Sequence, residues 1–332
     1  TDAVFAAVSN PIAGLLAGIL ATVLVQSSSV STSTIVGLVA AGVVSVETAI
    51  PMIMGANIGT TVTNTLVSLT HIRRSEEFRR SFAAATMHDF FNFAVVAIFL
   101  PLELWTGFLS KSASALAEAI GGSAAGGSFN SPIKAAVKWG AGLLEEIPAL
   151  FTDHPVAFPI AVAVFGIGVI FIALSRITVN MRLLVADRIE RSLNAALARS
   201  GLIGMFVGVV VTISVQSSSI TTSILTPLCA AGVLAVRNAY PITLGANVGT
   251  TITALLAAVG SGTVDGLTIA FTHTLFNIAG ILLIYPIPSI RYLPVRAAEA
   301  LASLAQRRRW AAFAYVLTAF FGLPLLGIFL FG

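Results

Sequence analysis

Ala311 to Phe331 is a run of 21 residues with no Asp, Glu, Lys or Arg. About 20 such residues are what a helix needs to cross the ~30 Å hydrocarbon core of a bilayer. Phe82–Leu104, Val156–Leu174 and Leu267–Tyr285 approach the same standard. Only 10% of the 332 residues are charged, against about a quarter in a soluble domain. The chain therefore reads as an all-α integral membrane protein. Backbone groups in lipid must be satisfied within their own element, and the short alternating segments of a barrel are missing. The start at Thr1 reads as a trimmed end with no signal-peptide pattern.

The net charge is +4, and its placement is informative. All 15 Arg fall in four stretches: Arg73–Arg80, Arg176–Arg199, Arg237 and Arg291–Arg309. The three Lys (Lys111, Lys134, Lys138) fall in the segment 105–155, among Glu118, Glu145, Glu146 and Asp153. Arg-rich loops stay on the cytoplasmic side. Segments 71–81, 176–200 and 286–310 are thus expected inside and 105–155 outside. Trp105 and Trp310 stand at expected span ends, where interfacial belts form. Arg runs of this kind set topology and contact lipid head groups, and no nucleic-acid partner is expected. Cys229 is alone, so an intrachain disulfide is excluded. That and the lack of a glycosylation acceptor suit a multi-pass protein of a bacterial inner membrane.

Within this greasy chain, polar text recurs. "VQSSSVSTS" begins at Val25 and "VQSSSITTS" at Val215. Val25–Gly42 and Val215–Gly232 agree at 11 of 18 positions. At the same offset, Ala49–Leu66 and Ala239–Leu256 agree at 10 of 18, around "GANIGTT" and "GANVGTT". "HDFFN" from His88 pairs with "HTLFN" from His273. Three blocks in one order indicate an internal duplication.

Charge then orients the copies. Four Arg follow the first GANxGTT block, whereas Gly260–Gly266 after the second holds only Asp265. The copies are therefore expected to face opposite ways, a recurring plan of secondary transporters. Between Gly201 inside and Gly260 outside the chain must cross an odd number of times. Three crossings would need about 60 residues with no turns. One crossing fits: a re-entrant hairpin turning at QSSS, then a spanning helix broken at GANxGTT. The expected order is repeat 1 over 1–104, an extracellular loop over 105–155 and a spanning helix with a cytoplasmic amphipathic segment over 156–200. Inverted repeat 2 follows over 201–287, and an amphipathic segment with the last spanning helix over 288–332.

Each hairpin tip offers hydroxyls, an amide and the unpaired N–H groups that begin a half-helix. Such an end carries about half a positive charge and suits an oxyanion, phosphate above all. The phosphate candidates are Gln26, Ser27, Ser28, Ser29, Gln216, Ser217, Ser218 and Ser219, with Asn57, Thr60, Thr61 and Asn247. Oxygen-rich groups also suit sodium. The sodium candidates are Gln216, Ser217, Thr32, Thr250, Thr251, Thr253, Asp89 and Asn92. Asp89 is the most informative, because a carboxylate within a span is costly and functional by default. Its counterpart in the second copy is Thr274. A structural partnership with His88 or a cytoplasmic Arg is the other reading of Asp89. His88 and His273 read as hydrogen-bonded packing residues, and Asn92 and Asn277 face the same way as these His. Gly55, Gly59, Gly245 and Gly249 are expected where the helix opens.

With "VQSSSVSTS", "IPMIMGANIGTTVTNT", "EFRRSFAAATMHDFFNF", "VQSSSITTS", "AYPITLGANVGTTITALLAA" and "FNIAGILLIYPIP", the chain resembles the type II sodium–phosphate cotransporters, solute carrier family 34, in a bacterial form. The resemblance covers nearly everything but 105–155. It implies sodium-driven import of inorganic phosphate, with Na+ as coupling ion and no cofactor, through paired QSSS hairpins. It also implies one pathway per protomer, with a homodimer possible. Ala83, Ala85 and Asp89 match the pattern that marks electrogenic members and divalent phosphate. A sodium symporter of another oxyanion or a carboxylate is the alternative. In a different class stands an intramembrane serine hydrolase using a QSSS serine with His88 or His273; a passive channel is a third.

Overall fold

A computed structural model describes residues 10–122 and 201–332, with a few isolated positions between them. The expected helix and amphipathic segment over 156–200, and most of 105–155, lie outside the described residues. Among the described residues every regular element is a helix. Four are long and apolar enough to cross a membrane: Ser75–Thr106, Val236–Ser261, Val264–Ile284 and the bent segment Trp310–Phe331.

The first half opens with α1 (Pro11–Val25), α2 (Ser28–Ala40), α3 (Val46–Gly59) and α4 (Val62–Leu69), followed by the long α5 (Ser75–Thr106). Asn10 caps α1 through a 2.9 Å bond from the Ile12 N–H, with Pro11 preset for the first turn. At 15 and 13 residues, α1 and α2 are each short of a full crossing. The second half repeats the order with α7 (Gly201–Val215), α8 (Ser218–Ala230), α9 (Val236–Ser261) and α10 (Val264–Ile284). Between the halves lies α6 (Phe108–Gly122); after them come the short α11 (Pro288–Arg291), α12 (Leu293–Arg307), α13 (Trp310–Leu317), a π-helical turn (Thr318–Gly322) and α14 (Leu323–Phe331).

The packing interlocks the halves. α1 lies on α3, and α7 lies on α9. These contacts are backbone to backbone. A Cβ on Gly55 would stand 1.9 Å from the Leu15 carbonyl oxygen, and one on Gly245 the same distance from that of Met205. Small residues that let membrane helices approach closely produce such contacts. The tip helices cross over: α2 packs on α9 and α10 of the other half, and α8 on α4 and α5 of the first.

Two expectations need correction. The helix does not open at the second motif, since α9 runs unbroken from Val236 to Ser261. Gly245 serves close approach there, and the Thr250 and Thr251 hydroxyls donate to Ala246 O at 3.1 Å and Val248 O at 2.8 Å. Each threonine is thereby satisfied on its own helix. At the first motif the interruption is one tightened turn. Thr60 N–H still reaches Ala56 O, while Thr61 N–H bonds Ile58 O three residues back. The second correction concerns 105–155, whose first part is α6 rather than loop. Glu103 caps it, accepting from Leu109 N–H at 2.6 Å and Ser110 N–H at 3.2 Å. Leu109, Ala113 and Ala117 are fully buried along one face, spaced as a helix in contact with α10 requires.

The amphipathic reading of 288–307 fits α12, which buries Val295, Ala298, Ala302 and Ala305 against α5. Trp105 and Trp310 are both largely exposed at helix ends.

Candidate functional site

At each QSSS motif the chain reverses on one glutamine. Gln26 has φ 57° and Gln216 φ 53°, the only non-glycine residues with positive φ among those described. This left-handed geometry is uncommon without glycine, and such outliers gather at functional sites. The following serine caps the next helix. Ser27 Oγ accepts from Val30 N–H and Ser217 Oγ from Ile220 N–H, both at 3.4 Å. The hydroxyl run therefore begins the helix, with its positive end and unpaired amides directed into the turn.

The two tips touch. Ser29 Oγ donates to the Gln216 carbonyl oxygen at 3.2 Å, across 187 residues of sequence. Ser28, Ser29 and Ser218 are buried. Ser218 Oγ has no hydrogen-bond partner, although a buried hydroxyl ordinarily finds one. Ser29 and Gln216 are thus brought together. Gln26 turns aside: its Nε2 donates to Val23 O at 2.6 Å, and its Oε1 accepts from Thr63 at 3.0 Å.

The asparagines form a second centre. Asn57 Nδ2 reaches Asn277 Oδ1 at 3.5 Å, and its duplicate Asn247 reaches Asn92 Oδ1 at 3.3 Å. Asn247 also donates to Asn277 Oδ1 at 2.6 Å, and Asn92 to Asn57 O at 2.9 Å. His273 Nε2 meets Asn57 Oδ1 at 3.1 Å. All five side chains are buried. His88 lies beside Asn247, yet neither of its ring nitrogens has a hydrogen-bond partner. His273 is hydrogen-bonded as expected, and His88 is not.

Asp89, fully buried, marks a third place. Its Oδ2 accepts from Tyr315 Oη at 2.5 Å, and Oδ1 has no partner. Thr61 faces it. Its hydrogen-bond partner is therefore neither His88 nor an arginine. The remaining threonines bond their own helices: Thr60 to Ala56 O at 2.9 Å, Thr61 to Ile58 O at 2.8 Å and Thr32 to Ser28 O at 2.8 Å. Thr253 is nearly buried. The sodium candidates are thus divided among the tip, the amide centre and the Asp89 group.

Sequence reasoning missed two residues. Asn64 donates to Thr222 Oγ1 at 2.6 Å and accepts from Ser223 Oγ at 3.0 Å, tying α4 to the second tip helix. A polar residue where the other copy has Ala254 was a usable signal. Tyr315 had none, because its partner lies 226 residues away.

The Na+/Pi-cotransporter family profile matches residues 2–126 and 169–331. The chain belongs to the Na+/Pi-cotransporter family. Among curated relatives, sodium-dependent phosphate transport protein 2A of Rattus norvegicus is 36% identical over 388 residues, covering 97% of this chain and 61% of the relative. Sodium-dependent phosphate transport protein 2B of Homo sapiens is 34% identical over 403 residues, covering 96% and 58%. The chain therefore spans about three-fifths of the length of these Na+/Pi-cotransporter relatives. No solved structure matches. The hydrolase alternative finds no support in the geometry: His273 is engaged with Asn57, and no hydrogen bond joins His88 to a serine.

Proposed function

We propose that this member of the Na+/Pi-cotransporter family is a sodium-driven symporter that imports inorganic phosphate through a site built from both QSSS tips. The observation that carries the reading is the bond between Ser29 and the Gln216 carbonyl. It brings together two helix starts, each fitted to an oxyanion by its amides and small hydroxyl side chains. The unpartnered Ser218 hydroxyl supplies a donor that folding leaves unused. Sodium binds at Asp89 with Thr61, and at oxygens of the second tip. Its charge offsets the repulsion that a doubly charged phosphate meets in a low-dielectric site.

The two halves act as inverted repeats with re-entrant hairpins. Supporting this are the short tip helices, the charge map and the crossed packing of α2 and α8 on opposite halves. Alternating access is then a rocking of one half against the other around the fixed tips. With Asp89 ionised and carrying a cation, the cycle moves net charge. Arg-bearing ends stay inside, in the inner membrane of a bacterium.

Phosphate uptake by proteoliposomes under an inward sodium gradient, against an equal potassium gradient, tests this. Sodium should accelerate uptake at least tenfold, and equal rates would end the proposal. Sulfate and arsenate competition separates phosphate from other oxyanions.

A further inference from the structure

Asp89 lies on α5, and the Tyr315 hydroxyl that is hydrogen-bonded to its carboxylate comes from outside both repeats. Tyr315 is on α13, in the C-terminal segment that follows the second half. Its ring is held by an aromatic cage. Phe320 stands edge-on at 5.9 Å, Phe90 is stacked at 6.4 Å and Phe82 is edge-on at 6.4 Å. One turn later the helix widens into the π turn Thr318–Gly322, which carries Phe320. Single π turns inside α-helices recur at functional sites. The π turn thus carries Phe320, which stands against the Tyr315 ring while the hydroxyl bonds Asp89.

Tyr315 also lines an apolar cavity of about 870 Å³ together with Leu15, Phe93, Leu100, Trp310 and Leu323. A carboxylate has two oxygens with roughly four acceptor positions. Tyr315 takes one position on Oδ2, while Oδ1 has no partner and is fully enclosed.

We propose that Tyr315 is a positioning residue for cation binding: its hydroxyl holds Asp89 by Oδ2 in the one rotamer that presents Oδ1 to the ion. The inference rests on the reading of Asp89 as a sodium ligand. Without the hydroxyl, the carboxylate must be ordered by the ion itself, and that ordering is subtracted from sodium affinity. The C-terminal helix thereby joins the cation site although it carries none of its ligands.

The test is Y315F, which keeps the ring in its cage and removes only the hydroxyl. Sodium activation of phosphate uptake is measured in proteoliposomes for wild type, Y315F, D89N and the double variant. Y315F should raise the sodium concentration for half-maximal uptake about tenfold, the usual worth of a hydrogen bond to a charged group. Maximal rate and phosphate KM at saturating sodium should change less than twofold. In the D89N background Y315F should add nothing. As a readout independent of transport, sodium-dependent thermal stabilisation of the purified protein should need about tenfold more sodium in Y315F.

A lower maximal rate with unchanged sodium dependence in both assays would overturn the proposal and leave Tyr315 as packing. So would an equal effect of Y315F with and without Asp89. If D89N itself leaves sodium dependence untouched, the cation reading of Asp89 falls, and this proposal with it. If D89N alters sodium dependence and Y315F does not, only the role of Tyr315 falls.

Discussion

The two QSSS turns are built alike and finished differently. Both reverse on a left-handed glutamine, both cap the next helix with the first serine, and both lean on a glycine-faced helix. In the first, Ser29 spends its hydroxyl on the other tip; in the second, Ser218 keeps a buried hydroxyl with no partner. The first half has a tightened turn after GANIGTT, Asn64 reaching across to α8, and Asp89. The second has an unbroken helix, Ala254 and Thr274 at those places. Even the amide centre is uneven: His273 bonds Asn57, whereas its duplicate His88 lies beside Asn247. The two turns thus share their backbone geometry and differ in how their polar side chains are engaged. That is the pattern expected if one half supplies the charge and the other the open donor.

The common scaffold can be broken most severely at its glycines. G55A and G245A each place a methyl group 1.9 Å from a backbone carbonyl oxygen, where no side chain can yield. Each should cost about 3 kcal/mol or more, read as loss of monodisperse protein in detergent. A tolerated G245A beside a lethal G55A would break the equivalence of the two helix pairs.

Less drastic is N64A, which makes the first half resemble the second at that position. It removes the donor to Thr222 and the acceptor of Ser223 and should cost about 1 kcal/mol, seen as a lower midpoint in thermal unfolding. The reverse change, A254N, introduces a polar side chain at a fully buried site and should also destabilise.

The tips themselves separate by function. S218A removes a hydroxyl that bonds nothing in the protein. Phosphate KM should rise about tenfold, the loss of one hydrogen bond to a charged ligand, with the unfolding midpoint unchanged. S29A loses the bond between tips and should destabilise by about 1 kcal/mol, read as a lower unfolding midpoint, as well as raise KM. Smallest of all is G37A on α2, where an added Cβ meets nothing within 4 Å. It should be neutral or stabilise by up to about 1 kcal/mol, measured in the same unfolding assay.

Much of this was legible in the sequence. The uncharged run Ala311–Phe331 pointed to a membrane span, and the helix over Trp310–Phe331 is long and apolar enough to be one. That Gln26 and Gln216 reverse the chain followed from where apolar helix gives way to hydroxyls. The reading went astray where one residue type has two uses. Glycine in GANVGTT was taken to open a helix, yet Gly245 thins it for Met205. Nothing in the motif text marks the bonds that join Asn57 and Asn247 to Asn277, Asn92 and His273. The helix over 108–122 was hidden because Glu103, its cap, precedes the segment by several residues. Tyr315 was invisible because nothing local marks a tyrosine whose partner lies on a distant helix.

The central claim is that the two serine tips form one site that closes on phosphate when sodium is present. With Cys229 replaced by alanine, cysteines at Ser29 and Gln216 should be joined within the molecule by a short bis-thiosulfonate. Phosphate with sodium should slow that reaction severalfold, whereas phosphate with potassium should not. No intramolecular link, or a rate indifferent to sodium and phosphate together, would contradict the account.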